Sequence, residues 1–149
     1  MDNKLSPLCW KCGVEIGNYV HCIWSCVKLQ RYWSRVVDEL SIIFGVQIDL
    51  NPLYLILGFP DVHIDSVKNR RLFNMLTFAA RKNILLFWIK DHAPSLQSWH
   101  KLVMDCIPNE YISCMLRSSV DSFYKVWDPY LEHIGHTLSS SLLQGFPQR

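Results

Sequence analysis

Four side chains that commonly bind metals fall within 18 residues near the start of the chain, and their spacing constrains the fold more than any other feature. Cys9, Cys12, His21 and Cys26 follow C-x2-C-x8-H-x4-C. A C-x2-C turn lets two thiolates face one ion at about 2.3 Å, and a second ligand pair completes a tetrahedron with no open position, which describes a structural zinc site. Gly13 and Gly17 supply the backbone freedom a tight return needs. Cys22 leaves a second set open, because Cys9, Cys12, Cys22 and Cys26 also make a four-cysteine site with His21 as a bystander. Reduced thiols buried in a small apolar unit are the reading without metal. The other two cysteines, Cys106 and Cys114, lie far away, so the six form a cluster and a remainder rather than an evident disulfide framework.

The rest of the chain is a foldable globular sequence. Half of its 149 residues are hydrophobic and 13% are aromatic, which excludes disorder throughout and fits one domain. The longest purely apolar run, residues 84–89, is far short of the roughly 20 residues a bilayer span requires. No membrane partner is expected. The first seven residues lack the basic flank and apolar stretch of a secretory signal, so the expected setting is intracellular and reducing.

Apolar spacing beyond the cysteines is helical. Trp33, Val36, Val37, Leu40, Ile43 and Phe44 recur at three- and four-residue steps, which predicts a helix over 27–44 stopped by Gly45. Asn51-Pro52 predicts a turn, and residues 53–57 are too short to assign to strand or buried loop. A longer helix is expected over 66–90, capped by Asp65 or Ser66. A third is expected over 95–106, with Trp99, Leu102, Val103 and Cys106 on one side, then a break at Pro108-Asn109 and a fourth over 110–118. A fifth is expected over 120–134, kinked by Pro129 and ended by Gly135. The predicted fold class is mainly α: a small zinc-knuckle-like unit over 1–30, an irregular bundle of about five helices over 31–135, and a loosely ordered tail over 136–149.

Charge is uneven although the net value is only +2. Residues 66–101 carry seven basic groups against one acidic, and no acidic residue lies between Ser66 and Lys90. Arg70, Arg71, Asn74, Thr77 and Arg81 share one face of the expected helix, with Lys68 and Lys82 at its margins, opposite Leu72, Phe73, Leu76, Ala79, Ala80 and Leu86. Guanidinium groups without acidic partners suit phosphate, to which they make paired charge-assisted bonds. Lys11, Lys68, Arg70, Arg71, Arg81 and Lys82 are therefore the candidate nucleic-acid contacts, against the plainer reading of a solvated helix face. Trp10, Trp24 and Trp33 suit base stacking, although packing of the small unit is their expected use.

No catalytic constellation is visible. His63, His92, His100, His133 and His136 are scattered without metal-ligand spacing, and Asp121 and Asp128 form no supported acid–base pair. No enzyme activity and no small-molecule substrate are expected.

The string Ser-Pro-Leu-Cys9-Trp-Lys-Cys12-Gly, followed by Tyr-Val-His21-Cys22-Ile-Trp24-Ser-Cys26 and Lys28-Leu-Gln-Arg-Tyr-Trp33, resembles the cysteine-rich C-terminal region of long interspersed element (non-LTR) retrotransposon reverse transcriptases. The resemblance extends through residues 48–58 to Trp127, with its specific part in the first 33 residues. The family motif is Cys-Cys-His-Cys, which places Cys9, Cys12, His21 and Cys26 as the zinc ligands. The spacing departs from the family's usual form by one residue fewer between the first two cysteines and one more before His21. The resemblance implies a terminal fragment of such a protein without its endonuclease and polymerase, found in cytoplasm and nucleus. It implies element RNA or target DNA as partner, with the upstream polymerase as another. The alternative is a structural or protein-interaction segment that packs on that polymerase.

Overall fold

The computed structural model describes residues 6–59, 61 and 63–137. Within them the chain forms a loop, a π-helical turn at His21–Ser25 and five α-helices: α1 (Val27–Phe44), α2 (Pro52–Leu55), α3 (Val67–Leu86), α4 (Leu96–Leu116) and α5 (Val120–Thr137). The mainly helical fold class expected from the sequence is the one observed. The expected tail lies outside the described residues except for the end of α5, and the expected boundary between residues 30 and 31 falls inside α1.

The α1 helix spans the expected residues and ends at Gly45, whose φ of 65° is the left-handed conformation that closes a helix. Residues 53–57 begin in a single helical turn: the Asn51 side chain accepts a hydrogen bond from Leu53 N–H, and Pro52 occupies the first position. Ser66 caps α3 by accepting from Asn69 N–H. That helix stops four residues before the expected end. Lys11 Nζ donates to the carbonyls of Phe87 and Trp88 at 2.6 and 3.1 Å, taking acceptors at the point where the helix closes.

The expected break at Pro108 is absent, and Leu96–Leu116 form one long helix rather than two. Proline there forfeits one backbone bond. Trp99, Val103, Ile107 and Cys114 are buried along α4 on both sides of it, so continuity of the apolar face outweighs that loss. Cys106, placed on this face by the sequence reading, is exposed. Beyond the last helical residue, Leu116, Ser118 adopts φ 53°, and the Ser118 and Ser119 N–H groups donate back to the Met115 and Cys114 carbonyls. Pro129 is likewise carried inside α5, and Gly135 does not end it.

α3, α4 and α5 pack on one another, and α1 packs against all three. Trp33, Trp99, Trp127, Tyr130 and Phe73 are fully buried between them. Trp33 and Trp99 each satisfy their indole N–H on a backbone carbonyl, Ile23 and Leu76 respectively, both at 3.0 Å. The π-helical turn lies on α1 and α3, and Cys9, Cys22 and Cys26 belong to the same continuous core as the helices.

Candidate metal centre

Residues 8–17 fold into a compact loop. Leu8 and Ile16 form an antiparallel bridge, Cys9 N–H donates to the Glu15 carbonyl and Gly17 N–H to the Pro7 carbonyl, each at 2.8 Å. Two glycines are required by geometry. Gly13 sits at φ 68°, and a Cβ on Gly17 would lie 3.1 Å from the Cys9 Cα. The C-x2-C segment closes as a turn in which Gly13 N–H donates to the Cys9 carbonyl.

The second ligand pair comes from the π-helical turn. Asn18 Oδ1 accepts from His21 N–H at 2.9 Å, and Cys26 N–H donates to the His21 carbonyl at 3.0 Å. This five-residue step carries His21 and Cys26 to one side of the turn, where an α-helical i,i+5 pair would diverge. Cys26 also precedes α1, and its carbonyl accepts from Leu29 and Gln30.

The ligand atoms of Cys9, Cys12, His21 and Cys26 all lie within 4.8 Å of one another. Cys12 Sγ is 3.3 Å from His21 Nε2, and Cys9 Sγ is 4.0 Å from Cys26 Sγ. A tetrahedral ion with ligands at zinc distances needs separations of about 3.4–3.8 Å, which these values straddle. The arrangement is close enough to hold a metal ion. Cys22 stands outside the group and is a buried core residue.

Electrostatics divides the thiols differently, lowering Cys9 and Cys12 and raising Cys22 and Cys26. Backbone N–H groups of Glu15 and Val14 bring the Cys12 thiol from 9.0 down to about 6. Burial pushes Cys9 up, but hydrogen bonds from the Cys12 and Lys11 backbone reverse this and leave it lowered. Burial raises Cys26. Burial also pushes Cys22 up to about 11, assisted by the neighbouring Cys9, so Cys22 remains a thiol across the neutral range. Burial opposes charge on His21, yet hydrogen bonds with Cys12 and Cys9 raise its value overall. Glu15 Oε2 lies 3.1 Å from His21 Nδ1 without forming a hydrogen bond to it.

The basic residues are placed unevenly. Lys11 is 3% exposed and is held by the end of α3, so it lies outside any phosphate-accessible surface. Arg81 is half-buried and donates to the Leu55 and Ile56 carbonyls. Arg70 donates to the Ile64 and Asp65 carbonyls while remaining exposed. Arg71 meets Glu110 of α4 at 2.9 Å, an acidic partner invisible along α3 alone. Lys68 and Lys82 are exposed. Thr77, assigned to the polar face, is buried and donates to the Phe73 and Asn74 carbonyls. Leu86, assigned to the apolar face, is 58% exposed. Near the cysteines, Trp33 is core, Trp24 packs against it with ring centroids 5.9 Å apart, and Trp10 is 55% exposed.

The fold also assembles a group that the sequence leaves scattered. Glu39 of α1, His100 of α4 and His133 of α5 bring their ligand atoms within 4.8 Å. Residues so far apart on three helices carry no local spacing signal. No protein-family model matches the chain. No helix among the described residues is long and apolar enough to cross a membrane.

Proposed function

We propose that the chain is a non-catalytic, zinc-stabilised nucleic-acid-binding segment of a retrotransposon reverse transcriptase. Cys9, Cys12, His21 and Cys26 hold one structural zinc in this reading. The observation that carries it is the convergence of these four ligand atoms, with Cys22 left outside and kept as a thiol. Three sulfur ligands and one imidazole suit a borderline-soft ion, and four protein ligands complete its tetrahedron, which makes a closed, structural centre.

The nucleic-acid part of the proposal rests on α3. Lys68, Arg70, Arg71 and Lys82 are exposed on that helix, and Arg70, Arg71, Asn74 and Lys82 line a groove of about 840 Å³ between α3 and α4. Phosphate contacts of this kind bind with little sequence preference and release counterions. The test is binding of single-stranded and structured RNA to the zinc-loaded chain across a salt series. Affinity that falls steeply with salt supports the proposal, and no binding at low salt rejects it.

A second reading is a protein-interaction segment that packs on an upstream polymerase. The observation favouring it is that Phe78, Leu85, Leu86 and Ile89 are all more than half exposed, beside arginines already engaged within the chain. Absence of RNA binding at low salt, with solubility improved by an upstream polymerase segment, selects it.

A further inference from the structure

We propose that Glu39, His100 and His133 form a second metal site, which takes a borderline divalent transition ion such as zinc or cobalt(II) and ties α1, α4 and α5 together. The site is independent of the cysteine centre and of the nucleic-acid reading.

Two imidazoles and one carboxylate converge from three helices, with all ligand atoms within 4.8 Å. His100 Nε2 is 3.8 Å from Glu39 Oε2, and His133 Nε2 contacts the same oxygen directly. Two ligands at about 2.1 Å on one tetrahedral ion stand about 3.4 Å apart, so to admit an ion His133 draws back from Glu39 while His100 closes slightly on it. The ion exchanges the direct contact of His133 with Glu39 for a bond to each.

The surroundings of His100 are those of an oriented ligand. Its Nδ1 lies 3.0 Å from the Tyr130 hydroxyl; in the Nδ1–H tautomer that nitrogen donates to the hydroxyl and Nε2 keeps a lone pair for the site. Its ring lies 30° from parallel with that of His133, with centroids 6.2 Å apart, and both Nε2 atoms approach Glu39 Oε2. Burial is partial in a useful way. The side chains of His133, His100 and Glu39 are 8%, 20% and 23% exposed, which shields the ion while leaving an entry path. That path is the surface depression of about 680 Å³ that Glu39 and His133 line. Two nitrogen ligands disfavour magnesium and calcium, which prefer oxygen alone. Three protein ligands also leave room for a water.

The test uses the full, untagged chain loaded with one zinc at the cysteine centre, dialysed against cobalt(II) near neutral pH. The expected result is one further equivalent of cobalt with ligand-field absorption only and no thiolate-to-cobalt charge transfer. His100→Gln and His133→Gln each weaken this binding at least tenfold, Tyr130→Phe weakens it about tenfold, and His92→Gln leaves it unchanged. Circular dichroism checks that each variant keeps its helices. Failure of the zinc-loaded parent to retain the further cobalt overturns the proposal without reference to any variant. So does cobalt that shows charge transfer, or cobalt kept at parental affinity by a variant carrying both His100→Gln and His133→Gln. In those outcomes the group is an ion pair within the core.

Discussion

Cys12 Sγ stands 3.3 Å from His21 Nε2, although eight residues separate them in the chain. That approach requires both local devices described above: the glycine-closed loop that turns Cys12 back and the π-helical turn that aims His21 with Cys26. It also gives the ligand choice a direct consequence. His21→Ala should lower zinc affinity at least a hundredfold, whereas Cys22→Ala should retain one equivalent of zinc, as measured by competition with a chromogenic chelator.

Zinc should stabilise the whole bundle, because Cys9, Cys22 and Cys26 share its core. Free zinc held about a thousandfold above the dissociation constant contributes about 4 kcal/mol, which in a chain of this size corresponds to about 8–16 °C in melting temperature. Calorimetry with and without a chelator measures the difference. Equal melting temperatures would mean that the ion, if bound, is not linked to folding.

Protons compete with the ion, and the thiols define how. Cys12, held near 6, is already a thiolate at pH 7.5, whereas Cys26 is raised and must lose its proton on binding. Because Cys12 is depressed from 9.0 to about 6, its contribution to binding is present at neutral pH and is lost as pH falls through 6. Zinc binding at pH 7.5 should therefore release about one to two protons from the thiols, fewer than the three expected from unperturbed ones, with a further share from His21, whose raised value keeps it partly protonated, and release should increase below pH 6. Calorimetric titration in buffers of different ionisation enthalpy counts them.

The sequence made the cysteine cluster, with two candidate ligand sets, and the location of α1, α3 and α5 readable, because both depend on short-range spacing. Cysteine spacing specifies a turn within a few residues, and the apolar repeat of Trp33, Val36, Val37 and Leu40 specifies α1 on its own. What was not readable depends on contacts between elements. Pro108 sits inside α4 because tertiary burial of Ile107 and Cys114 overrides a local helix breaker. Lys11 reads as a surface cation until the end of α3 encloses it, Arg71 reads as unpaired until α4 brings Glu110, and Glu39 meets His100 and His133 only in the packed bundle.

The basic surface separates into groups that hold the fold and groups free to act. Arg81 secures the carbonyls of α2 and the residue after it, so its loss would confuse stability with binding. Lys68 and Lys82, with Arg71, whose half-exposed ion pair to Glu110 contributes little to stability, make the cleaner test. If they contact phosphate, Lys68→Gln, Arg71→Gln and Lys82→Gln together should flatten the slope of log affinity against log salt by about 2–3 while zinc content and helicity persist. RNA affinity within about twofold of the parent would favour the protein-interaction reading.

Two substitutions test how the frame supports the site. Gly17→Ala should weaken zinc binding, because the added Cβ meets backbone atoms of Cys9 at 3.1 and 3.2 Å that no side-chain rotation can clear. Asn83, buried against Tyr32, Ser95 and Ser98, should cost about 1–3 kcal/mol of stability as Asn83→Ala without changing zinc affinity. Chemical denaturation with parallel zinc titration distinguishes the two.

X-ray absorption at the zinc edge of the purified chain loaded with one equivalent tests the central claim most directly. The arrangement of Cys9, Cys12, His21 and Cys26 calls for three sulfurs at about 2.3 Å and one nitrogen at about 2.0–2.1 Å. A shell of four sulfurs with no nitrogen would contradict it and transfer the fourth position from His21 to Cys22.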